Sequence, residues 1–142
     1  MHFLKSWNNI NTIKESMMCK DDIFCGVNRA KSKNVEEMDD LEKKHTPVIQ
    51  APSEAKKGEP FEVSVEVGKH MKHPNENAHF IEWIELYSGD TFLARVDLVP
   101  RLAEPMVKLI VSLDHAHPLS AKIRCNLHGL WESFPVDISI RE

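Results

Sequence analysis

The stretch "EPFEVSVEV" (Glu59 to Val67) decides how this chain is read. Phe61, Val63, Val65 and Val67 fall on one face, and Glu62, Ser64 and Glu66 on the other. A strand sends successive side chains to opposite sides, so this alternation describes a strand with one face buried and one wet. Working outward, the same period returns. "DTFLARVDLV" sets Phe92, Ala94, Val96 and Leu98 against Thr91, Arg95 and Asp97. "AKIRCNL" sets Ala121, Ile123, Cys125 and Leu127 against Lys122, Arg124 and Asn126. "PVDISI" aligns Val136, Ile138 and Ile140, and "PMVKLIVSL" is rich in strand formers behind a proline. "HFIEWIELYSGD" is aromatic and β-branched without a clean period of two, and Ser88-Gly89-Asp90 ends it as a turn. Short strands at regular spacing, with no convincing helix among them, predict an all-β, immunoglobulin-like β-sandwich over residues 42–142. The Cys…Trp…Cys pattern of antibody domains is missing.

Residues 1–41 read differently. Phe3, Trp7, Ile10, Ile13 and Met17 recur at intervals of three or four, the spacing of an amphipathic helix. Lys31 to Asp40 is polar and acidic and reads as a linker or short helix. Together they form a partly helical N-terminal extension, docked on the main domain or on a partner subunit.

Composition excludes several functions. The chain has 142 residues, 42% hydrophobic and 28% charged, as in a soluble globular protein. Its net charge is −4 and no basic arm occurs, which argues against a nucleic-acid partner. "LIVSL" is too short to span a bilayer. "MHFLKSWNNINTIK" lacks the continuous apolar run of a signal peptide. A cytoplasmic protein with no membrane partner is the expectation. Cys19, Cys25 and Cys125 are the three cysteines, an odd count that points away from a disulfide framework. Cys19 and Cys25 read as free thiols at a helix end, with a redox pair or an intersubunit site as alternatives.

The eight histidines are the better lead. His45 lies in "EKKHTPVI", His73 and His79 in "HPNENAH", and Cys125 with His128 in "CNLH". Each lies at a strand end or in a loop beside one, and loops at one end of a sandwich converge. Any piece alone is weak: a loop histidine is usually solvated, and Cys125 on an apolar face is equally a small buried hydrophobe. Their joint occurrence on an all-β frame is what counts. Structural zinc prefers a closed tetrahedron and would leave one donor spare. Type-one copper takes two histidines and a cysteine, which His79, Cys125 and His128 would supply, but it leaves His45 and His73 unexplained and no methionine follows Met106. Imidazole and thiolate also suit iron. His115 and His117 belong to a loop before Pro118.

Three motifs in order make the pattern specific. Lys43-Lys44-His45-Thr46-Pro47, His73-Pro74 through His79, and Cys125-Asn126-Leu127-His128-Gly129 resemble the superoxide reductase family, which includes neelaredoxin and the catalytic domain of desulfoferrodoxin. "IEWIELY" and Trp131 are similar too. The resemblance covers Glu42 to about Glu142. It implies one mononuclear iron cycling between Fe2+ and Fe3+, with His45, His73, His79 and His128 as equatorial ligands and Cys125 as the axial ligand. It implies one-electron reduction of superoxide to hydrogen peroxide, with Lys44 drawing the anion in and organising a proton-donating water. It further implies an electron donor such as rubredoxin or a similar small redox protein, and a homo-oligomer, dimer or tetramer. Thiolate donation would push electron density toward the position opposite the sulfur. Backbone amides of Asn126, Leu127 and His128 are natural hydrogen-bond donors to that sulfur.

Two departures stand out. The family's glutamate comes two residues before the first histidine, where this chain has Lys43, and Glu42 is one position early. No carboxylate ligand is therefore expected, with Glu42 reaching in from a shifted loop as the alternative. The N-terminus also lacks the two cysteine pairs of a rubredoxin-like centre, so no second iron is expected.

Overall fold

The computed structural model describes residues 22–142. The helix expected from Phe3 to Met17, and Cys19, lie outside them. Cys25 is disulfide-bonded, which corrects its reading as a free thiol.

Among the described residues ten strands follow one another: β1 (Val27–Asn28), β2 (Val48–Gln50), β3 (Glu54–Lys56), β4 (Phe61–Glu66), β5 (Ile81–Ser88), β6 (Thr91–Asp97), β7 (Met106–Val111), β8 (Leu119–Cys125), β9 (Gly129–Glu132) and β10 (Ser139–Arg141). A five-stranded sheet, β1-β9-β8-β5-β6, faces a three-stranded sheet, β2-β4-β7, and β10 pairs with β3. The inward residues of both sheets meet in one core: Val63 and Val65 from β4, Ile84 and Leu86 from β5, Ile123 from β8 and Trp131 from β9. Val63, Val65, Ile84, Leu86 and Ile123 are fully buried, so "EPFEVSVEV" and "AKIRC" bury the faces that their alternation predicts. The exception is Ser64, expected on the wet face, which is buried too because β4 is the middle strand of its sheet, flanked by β2 and β7. This is the β-sandwich expected.

The missing period in "HFIEWIELYSGD" has a geometric cause. Ile81 pairs with Cys125 and Trp83 with Arg124, so β5 carries one extra residue against β8. Such a bulge shifts the phase of every later side chain, and the buried positions run Ile81, Ile84, Leu86, Ser88. A second slip lies opposite β6, where Leu86 pairs with Ala94 but Tyr87 with Phe92. Leu93 then packs on the core while Phe92 is 53% exposed against the Tyr87 ring, reversing the face expected for Phe92. Leu127 is corrected likewise. β8 ends at Cys125, so Leu127 stands in the turn before β9 and is 47% exposed.

Residues 22–47 pack closely on this frame. β1 adds a parallel strand beside β9. A short 3-10 turn (Val35–Glu37) leads to α1 (Asp40–His45). Asp39 caps α1: its side chain accepts from Glu42 N–H at 2.7 Å, and Glu42 accepts back from Asp39 N–H at 3.0 Å. This reciprocal capping box satisfies amide donors that a helix start leaves open. Among the described residues no helix is long and apolar enough to cross a membrane.

Candidate metal centre

α1 ends on His45, which is fully buried. Its Nδ1 donates to the carbonyl of Leu41 one turn earlier, at 2.7 Å. His73 is also buried, and its Nδ1 donates to the carbonyl of Pro74 at 2.6 Å. A carbonyl only accepts, so both rings carry their proton on Nδ1 and a lone pair on Nε2. Those two Nε2 atoms are 3.2 Å apart. Gly68 makes room for this loop: its φ is +87°, and a Cβ there would lie 2.7 Å from His73 N.

His79 closes a tight turn in which Glu76 and His79 exchange backbone hydrogen bonds of 2.9 and 3.1 Å. Its Nε2 is buried without a partner among the described residues. β8 carries Cys125 in at its end, fully buried. His128 follows in the turn to β9, with its Nδ1 3.5 Å from the Cys125 sulfur. Trp131 braces two sides of the group. Its ring stacks on His45 at 5.2 Å, and its Nε1 donates to the His128 carbonyl at 3.0 Å.

The four imidazoles form a closed circuit. Ring centroids are 4.7 Å apart for His45 and His73, 4.8 Å for His73 and His79, 5.1 Å for His79 and His128, and 4.8 Å for His128 and His45. The donor atoms of His45, His79, Cys125 and His128 all lie within 4.8 Å of one another. Every residue singled out as a candidate ligand is therefore in one place. His115 and His117 are exposed, with their ring centroids 5.9 Å apart, away from the cluster.

Electrostatics favour the neutral form of His45, His73 and His128. Burial pushes His45 down to about 3, against the pull of Leu41 and helped by the neighbouring imidazoles. Burial likewise takes His73 down to about 4, with His79, His128 and Lys44 adding to it. His128 is lowered by burial, then by His79 and Lys44. Neutral imidazoles with inward lone pairs are metal donors, and an orphaned buried nitrogen on His79 wants a partner. For Cys125, burial pushes the thiol up, while backbone N–H groups of Leu127 and His128 pull it down. Two of the three amides expected at the sulfur are there. The donor set, imidazole and thiol without carboxylate, suits a transition metal rather than calcium or magnesium.

Glu42 stays out of the group. It is buried, with one carboxylate oxygen on Asp39 N–H and the other accepting from Lys31 N–H at 2.8 Å. Lys44, next to His45, is half-buried, and its charge reaches His73 and His128.

The desulfoferrodoxin family model matches residues 37–134, a span that holds all five donors. This chain belongs to the desulfoferrodoxin family. Its relatives include a Methanocaldococcus jannaschii protein, provisionally named superoxide reductase. It is 48% identical over 113 residues, covering 77% of this chain and 90% of that one. The superoxide reductase of Pyrococcus furiosus is 35% identical over 108 residues, 63% of this chain and 85% of its own. In structure, the chain is similar to superoxide reductase (neelaredoxin) from Ignicoccus hospitalis, with a TM-score of 0.68, 38% identity, and coverage of 81% here and 95% there. Desulfoferrodoxin family membership sets aside the blue-copper alternative, which used His79, Cys125 and His128 and left out His45, a member of the same cluster.

Sequence reading names Trp131 and Asn126 but not their side-chain roles, Trp131 against His45 and Asn126 on the Ala78 carbonyl, and it passes over Asn28, whose side chain ties backbone segments beside the site. Their contacts span distant parts of the chain, so spacing carries no signal for them.

Proposed function

We propose that this chain is a superoxide reductase that holds a single iron through His45, His73, His79, His128 and Cys125. Superoxide, one electron and two protons become hydrogen peroxide, and no dioxygen is formed. The iron, when bound, supplies the one-electron step between Fe2+ and Fe3+. The observation that carries the reading is the closed circuit of four imidazoles beside a buried thiol. Three donors would suffice for a type-one copper site; this set has five.

The protein's own residues do the rest. Carbonyls of Leu41 and Pro74 hold two rings with their lone pairs inward. Leu127 and His128 amides moderate the charge on sulfur. Lys44 supplies positive charge beside the rings in a chain of net charge −4, so it attracts the anion locally and orients a water that delivers a proton. On this reading residues 42–142 form the metal-binding domain and residues 1–41 an extension without a second iron centre. The enzyme acts in the cytoplasm as a homo-oligomer, and a rubredoxin or similar small redox protein returns one electron per turnover.

Anaerobic purification, iron analysis and a pulse of superoxide test the proposal. The expected result is about one iron per chain and one hydrogen peroxide per superoxide consumed, against one per two for dismutation. Reduced, iron-loaded protein that leaves superoxide decay unchanged would sink it.

A further inference from the structure

The candidate donors come from separate segments, and something must hold each segment against the others. His45 and His73 are held through their rings by the carbonyls of Leu41 and Pro74. His79 is held differently. Its ring Nε2 has no partner among the described residues, but its backbone is gripped from both sides. The Asn126 carboxamide lies alongside: Oδ1 accepts from Phe80 N–H at 2.9 Å, and Nδ2 donates to the Ala78 carbonyl at 2.9 Å. Asn126 N–H also donates to the Phe80 carbonyl at 3.2 Å. The two side-chain bonds thus fall on the residues immediately before and after His79.

Topology explains why a side chain does this work. Ile81 with Cys125 is the last pair of β5 against β8, beside the bulge. Past that point one more backbone bond, from Asn126 N–H to the Phe80 carbonyl, closes the ladder. The Asn126 amide acts as one more peptide unit, donor and acceptor together, and carries the pairing on to Ala78. A carboxamide offers an N–H donor and a C=O acceptor on separate atoms with peptide geometry: aspartate lacks the N–H, alanine lacks both, a hydroxyl puts both on one atom, and glutamine is a methylene longer.

We infer that Asn126 is a positioning residue that places His79 against the Cys125–His128 pair. The hydrogen bonds of the Asn126 side chain go to backbone groups of Ala78 and Phe80. It couples the loop bearing one imidazole to the turn bearing the thiol and another imidazole, so they hold one spacing. This rests on the metal-centre reading above.

Cobalt(II) titration of the metal-free chain tests it, read by the thiolate-to-cobalt charge-transfer band and the visible ligand-field bands. Asn126→Ala and Asn126→Asp should each weaken cobalt binding about tenfold or more, as loss of an outer support does. The charge-transfer band should survive, because Cys125 remains, while the ligand-field bands change. His79→Ala combined with Asn126→Ala should lose less than the product of the single losses, since both act through one ligand. Unchanged affinity and bands in the Asn126 variants, or losses that multiply fully, would overturn the inference. If Asn126→Ala does not fold, Asn126→Asp, which keeps the acceptor, decides by the same measures. A natural chain that gives no charge-transfer band removes the metal centre and this inference together. Normal binding in the natural chain with matching variants removes the inference alone.

Discussion

The Nε2 atoms of His45 and His73 face each other at 3.2 Å inside the protein, each bearing a lone pair because each Nδ1 donates to a carbonyl. Two inward lone pairs at that distance repel unless a cation lies between them. A metal ion therefore favours the folded state, and ligand bound only to the native chain adds stability by mass action, about 4 kcal/mol at a thousandfold excess over Kd. Chelation should lower the thermal midpoint, and equal midpoints with and without metal would refute the site.

Acid should destabilise the metal-free chain in a defined window. His45 and His73 sit at about 3 and about 4 when folded, against 6.5 for the free group. Below pH 6.5 the unfolded chain takes up protons that the folded chain refuses, so stability falls as pH drops. The fall continues toward the folded values, and above pH 6.5 these groups contribute no slope. Urea midpoints between pH 7.5 and pH 4.5 check this on the His73→Ala variant too, whose decline should be shallower.

Cys125→Ser should keep the fold, since the change is small, but remove the thiolate charge-transfer band of the metal-loaded protein. Superoxide reduction should slow on the order of tenfold or more, because oxygen donates less electron density to the metal than sulfur. Pulse radiolysis and the visible spectrum read both effects.

Lys44→Ala should slow superoxide reduction, by roughly tenfold at low salt, and flatten its dependence on ionic strength. The exposed Lys57→Ala serves as the control. Rates that fall equally with salt in both variants would rule out local steering by Lys44.

Glu42→Ala should cost about 1–2 kcal/mol, because it strips the capping box and leaves the amides of Asp39 and Lys31 without their acceptor. The rate with superoxide should change little, and the spectrum of the oxidised protein should stay where it is. A spectral shift would mean that this carboxylate reaches the metal.

Gly129→Ala should destabilise the chain sharply. Gly129 has φ +76°, and a Cβ there would meet the Ile23 carbonyl oxygen. The left-handed conformation alone costs about 1–2 kcal/mol, and the collision must also displace the segment that Asn28 fastens to Ile23 and Leu130 at 2.9 Å. Chemical denaturation and cobalt affinity should fall together.

Much of this was legible in the residues. Alternation at Val63, Val65, Ala121 and Ile123 marks buried faces because a strand turns each side chain through half a revolution. The ligand motifs are legible for a related reason: His73 with His79, and Cys125 with His128, are neighbours along the chain, so their spacing shows directly. Faces were misread at Phe92 and Leu127, where a bulge and a strand end break the period that the reading assumes.

By itself, the sequence determined the strand faces and the set of donors, because both depend on chemistry repeated at short range. Tertiary structure alone decided the rest. It brought His45 within 3.2 Å of His73 across 28 residues. It turned Glu42 into a helix cap and not a ligand, because α1 opens at Asp39 and both carboxylate oxygens meet backbone amides there. It set the Asn126 carboxamide against the residues on either side of His79, beyond the last pair of β5 and β8. Glu42 is occupied locally, by Asp39 and by the segment that folds back from Lys31. The contacts of His45 with His73, and of Asn126 with Ala78 and Phe80, join segments far apart in the chain, which only packing of the whole sandwich brings together.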